Sequence, residues 1–75
     1  MTIRERFEKA TIEDLEQILG ILANNFHANK ELQEFFKKIG DVESYRQLDT
    51  VFNIESDLYL DVLAAREGKK KRGEN

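Results

Sequence analysis

The stretch NNFHAN, Asn24 to Asn29, lies between two apolar-periodic runs, and whether it breaks or continues a helix decides the fold. Asparagine side chains hydrogen-bond nearby backbone groups outside the helical conformation, so they favour caps and turns over helix interiors. On that reading Asn24 and Asn25 stop one helix and Asn29 caps the next. His27, the only histidine, then sits in a linker.

Upstream, TIEDLEQILGIL (Thr11 to Leu22) opens on a capping residue, with Asp14 in place of the usual Glu or Gln. Ile12, Leu15, Ile18, Leu19 and Leu22 form one stripe. Downstream, Leu32, Phe35, Phe36 and Ile39 stand at i, i+3, i+4 and i+7. Lys37 and Lys38 occupy the last turn, and Gly40 can take the left-handed conformation that ends a helix. Asp41 caps a further stripe of Val42, Tyr45, Leu48 and Val51 or Phe52. Asn53 and Ile54 read as a turn. Ser56 then caps a last helix with Leu58, Val62 and Leu63 inward, ending at Gly68. At the start, Thr2 and Glu5 make a capping-box pattern, and Ile3 and Phe7 lie four apart.

No run alternates as a strand would, and the chain has no proline. The expected fold is all-α, a small irregular bundle of four to five short helices. Four lie near 12–25, 30–39, 42–52 and 57–67, with a shorter one near 3–9. Its core is Leu15, Ile18, Leu19, Leu22, Leu32, Phe35, Phe36, Ile39, Leu48, Val62 and Leu63. Residues 1–67 form a single helical domain, and 68–75 a flexible basic tail.

At 75 residues the chain is small. Such a domain buries only about 60 % of the surface its unfolded form exposes. It has no cysteine, so its stability rests on helix packing or on a second copy of the chain. No apolar run resembles a leader or a membrane span. The expectation is a soluble, cytoplasmic protein.

Charge is unevenly divided. Residues 69–75 hold four basic residues and one acidic residue, net +3; the rest hold eight and fourteen, net −6. The basic block Lys69, Lys70, Lys71 and Arg72 can attract phosphate or an acidic partner, or simply complement the dipole of the last helix.

Catalytic chemistry finds little to stand on. Asn53, Glu55, Asp57 and Asp61 alternate like calcium-loop ligands. The loop's required glycine and closing acid are replaced by Leu58 and Ala64. His27 has neither a nucleophile nor a ligand set beside it. Ser44 and Ser56 sit at helix starts, without a nucleophile elbow. The chain therefore reads as non-enzymatic, with no cofactor, metal or small-molecule substrate.

Residues 42–67 carry an apolar skeleton of Leu48, Phe52, Ile54, Tyr59 and Val62. This skeleton resembles the helix-turn-helix of phage-repressor-type regulators. The resemblance implies a DNA-binding regulator with the basic tail on phosphates. The pattern departs at Asp49, where the helix crossing wants a small residue, and at Asn53, where the turn wants glycine. Glu55, Asp57 and Asp61 put carboxylates where base-reading residues belong. The chain is not assigned to that family.

Once the stripes are satisfied, Ile3, Phe7, Ile21, Tyr59 and Leu60 remain. Surplus apolar residues in a small protein mark an interface. The function expected is a helical protein–protein interaction or regulatory module, with a protein partner or a second copy meeting Phe7, Tyr59 and Leu60. DNA-binding regulation is the alternative. Mimicry of nucleic-acid charge by the acidic body is a third idea.

Overall fold

The computed structural model describes residues 6–73. It is an all-helical hairpin of two long helices, α1 (Ile12–Ile39) and α2 (Val42–Arg72). This corrects the bundle of four to five short helices. Asn24, Asn25 and Asn53 lie inside continuous helix with exposed side chains, and Asn29 and Ser56 cap nothing. The physical reason is magnitude. An asparagine in a helix costs less than about 0.7 kcal/mol relative to alanine, which neighbouring burial easily outweighs.

That burial has one pattern. In α1 the inward residues are Leu15, Leu19, Leu22, Phe26, Asn29, Gln33 and Phe36. In α2 they are Tyr45, Leu48, Phe52, Glu55, Tyr59, Val62, Arg66 and Lys69. Each series is spaced alternately by three and four residues, the seam of an antiparallel coiled coil, and no member is exposed. The spacing passes straight through both expected breaks.

The ends are well defined. Thr11 Oγ1 accepts from Asp14 N at 3.0 Å and Asp14 Oδ2 accepts from Thr11 N at 3.2 Å, a complete capping box. At the bend Gly40 adopts φ 77°. Gly40 N donates to Lys37 O and Asp41 N to Phe36 O, which closes α1 in a Schellman motif. Asp41 caps α2 at once, so two residues make the whole connection. The expected end at Gly68 is also overturned: α2 runs on to Arg72 and Gly73 terminates it at φ 72°.

The core lies near the open end of the hairpin. Leu15 and Val62 are fully buried, and Leu19 and Leu22 nearly so. Phe7, Ala10, Ile18, Leu58, Tyr59, Leu63 and Ala65 pack around the group formed by Leu15, Leu19 and Val62. Phe7 and Ala10 belong to an N-terminal segment, helical at Arg6–Phe7 and turning at residues 8–9. Ile3, the other half of the expected 3–9 helix, lies outside the described residues. Two contacts hold this segment: Arg6 Nη1 to Asp61 Oδ2 at 3.0 Å, and Lys69 Nζ to the Glu8 carbonyl at 3.1 Å. No helix among the described residues is long and apolar enough to cross a membrane.

Candidate interaction surface

The expected core fails in the half of the hairpin near the bend. Leu32, Phe35 and Ile39 are 44, 53 and 58 % exposed, and Val42 and Val51 are exposed as well. Of the Leu32–Ile39 stripe only Phe36 turns into the seam. A second helix can cover one row of residues, and the row beside it is left open.

That second row is regular too. In α1 it runs through Ile18, Ile21, Asn25, Ala28, Leu32, Phe35 and Ile39, again spaced by threes and fours. In α2 the matching row runs through Ser44, Gln47, Val51, Ile54, Leu58, Asp61 and Ala65. Both rows lie on the same side of their seams, so in an antiparallel pair they share one face of the hairpin. The N-terminal segment occupies the open end of that face through Arg6 and Asp61. Beyond it the face is uncovered. Among the described residues, six of the eight large apolar side chains left exposed belong to it: Ile21, Leu32, Phe35, Ile39, Val51 and Ile54.

The opposite face is mainly polar, with Leu60 exposed on it. Glu13, Glu16, His27, Lys30, Glu34 and Lys37 of α1, with Arg46, Asp49, Asn53 and Ser56 of α2, are all exposed there. His27 is not in a linker; it lies on continuous helix, its Nε2 3.4 Å from Glu31 Oε1 one turn on. The hairpin is thus two-sided, one face carrying most of the exposed apolar side chains and the other mainly polar.

Between the faces the seam contains polar rungs. Asn29 Nδ2 donates to Glu55 Oε1 at 2.8 Å, while Glu55 Oε2 is buried without a partner. Gln33 Nε2 reaches the Tyr45 carbonyl at 3.2 Å and Asp49 Oδ1 at 3.3 Å. Three aromatic rings straddle the Asn29–Glu55 rung, Phe26 and Tyr59 on its core side and Phe52 on its bend side. Phe26 is 6.4 Å from Phe52 and 5.7 Å from Tyr59 between ring centroids. At the bend the Ser44 hydroxyl donates to Asp41 Oδ2 at 2.7 Å and Ser44 N to Oδ1 at 3.1 Å. These two bonds hold the Asp41 carboxyl below its ordinary range.

The residues expected at the interface separate. Phe7 and Tyr59 are half-buried against the core, while Leu60 is 60 % exposed on the other side of α2. The basic block divides as well. Lys69 is 7 % exposed and bonded to the Glu8 carbonyl, whereas Lys70, Lys71 and Arg72 are exposed in the last turn of α2. The alternating acids at 53–61 lie on continuous helix. Among the described residues no three His, Cys, Asp or Glu side chains gather where a metal could bind. A notch of about 270 Å³ at the bend is lined by Phe36, Lys37, Gly40, Asp41, Val42 and Tyr45.

No family model, curated protein or solved structure matches this chain. The turn that the repressor resemblance requires at Asn53 is absent, because residues 42–67 form part of one helix.

Reading one stripe per short helix misses Leu32, Phe35, Ile39, Val51 and Ile54 as surface residues. Two interleaved rows of threes and fours would place them there.

Proposed function

We propose that the chain is a non-enzymatic helical module that binds protein through the apolar face of the hairpin. The observation that carries this reading is the gathering of Ile21, Leu32, Phe35, Ile39, Val51 and Ile54 on one face, with a mainly polar face opposite. Contiguous apolar surface of this kind is rare on a protein that works alone. Each of the six is between 37 and 64 % exposed. Burying such a side chain completely is worth about 1.5–3 kcal/mol, so covering what is left of all six offers on the order of 5–9 kcal/mol before the costs of association. That is comparable with the whole folding stability of a small domain.

The test is site-specific photo-crosslinking in the native host. A photo-reactive phenylalanine analogue at position 35 should yield protein adducts, and the same analogue at position 27 on the polar face should not. Absence of adducts from position 35, or equal yield from position 27, overturns the reading.

A further inference from the structure

We infer that the occupant of the apolar face is a second copy of this chain, packed antiparallel about a twofold axis so that the bend halves of the two hairpins overlap. The inference rests on the reading of that face as protein-binding and names what binds it.

Direction on the helix argues first. At 3.6 residues per turn the row through Leu32 and Phe35 is centred about 110° around α1 from the seam. A single helix lying in the groove of a hairpin approaches at about 60° from the seam, as in a triangular bundle. A second two-helix layer approaches at about 90°, as in a four-helix bundle. The exposed row fits the layer.

Area argues next. The molecule measures 50 × 22 × 15 Å, and two helices side by side, each about 10–12 Å across, make a face about 22 Å wide. From Ile21 to Ile39 the exposed row runs about 27 Å along α1. That footprint, roughly 600 Å², approaches the 800 Å² or so that each partner buries in a standard interface. A single helix would cover only part of it. The one two-helix apolar face of matching length and width on hand is the same face of another copy.

The N-terminal segment fixes the orientation. It lies on this face at the open end, held by Arg6–Asp61 and Lys69–Glu8. In a parallel pair the two segments would meet between the layers. In an antiparallel pair they lie at opposite ends of the assembly, each beside the tip of the other hairpin. The axis then passes near Ala28 and Leu32, and Ile39 of one copy approaches Ile21 of the other. The contact is isologous and closes at two.

Sedimentation equilibrium of the purified full chain, with cysteine variants, tests this. At tens of micromolar the wild type should have twice the 8.8 kDa chain mass. Phe35→Lys with Ile54→Lys should weaken association at least 100-fold. The chain has no cysteine, so single cysteines report cleanly. Ala28→Cys should oxidise to a disulfide dimer and His27→Cys should not. These two leave the large apolar side chains of the face in place, so they remain informative if the lysine pair fails to fold. A monomeric wild type overturns the second-copy inference. If position 35 still crosslinks to another protein in the host, the protein-binding reading survives that failure; if it crosslinks to nothing, both fall. Disulfide formation by His27→Cys but not Ala28→Cys overturns the arrangement.

Discussion

Asn29 occupies a place in the seam where leucine would bury more apolar surface. Its amide meets Glu55 Oε1, and the second carboxylate oxygen of Glu55 is buried with no partner. Such a rung fixes register at some cost in stability. Asn29→Leu should therefore destabilise by about 1–3 kcal/mol, because it leaves Glu55 wholly unpaired. Asn29→Leu with Glu55→Leu should recover most of that loss. Chemical denaturation of both variants measures it. At the bend, Ser44 holds the Asp41 carboxyl below its ordinary value of 3.8. A depressed folded pKa means the ionised cap adds stability above about pH 4 and loses it as pH falls through the lowered value. The melting temperature should drop on that descent, and less steeply in Asp41→Asn, which keeps a capping side chain that does not titrate. Melts taken across the acid range check this.

Elements show where the sequence is legible and where it is not. Thr11 with Asp14, Gly40 and Asp41 mark the start of α1, its end and the cap of α2 from sequence alone, because each acts through a bond to its own backbone neighbours. All-helical structure is legible for the same local reason. Asn24–Asn29 and Asn53–Ile54 mislead because their preference for turns is weak and yields to packing across the seam. Gly68 misleads because a glycine signals a helix end only through its backbone conformation, and here the left-handed turn falls at Gly73 instead. The apolar face is hidden when rows are counted as core without asking how many neighbours can cover them. Lys69 belongs to the basic tail in sequence; in space it caps the N-terminal segment from a buried position. Replacing its ammonium while keeping its stem, as in Lys69→Met, should cost about 1.5–3 kcal/mol, the range for a hydrogen bond from a charged donor. Hydrogen exchange should quicken at Phe7–Ala10 more than at the bend. Equal protection in wild type and variant would show that the segment docks without it.

The whole molecule places its strongest packing at the end opposite the bend. Leu15, Leu19 and Val62 cluster toward the open end of the hairpin, while the residues nearest the two-residue connection are half open to water. Folding kinetics inherit this arrangement. Contacts beside the bend close the shortest loops but gain little apolar burial. Those that gain most must close nearly the longest loop available, whose entropy comes first. Native fluctuations should share the same gradient. Opening should begin at the tip and travel outward, with the well-packed open end of the hairpin as the last refuge of structure. A hairpin of this design is knotted at its loose ends and slack at its fold. Its least protected backbone is therefore the tip beside the apolar face, and whatever binds that face also decides how long the tip stays closed.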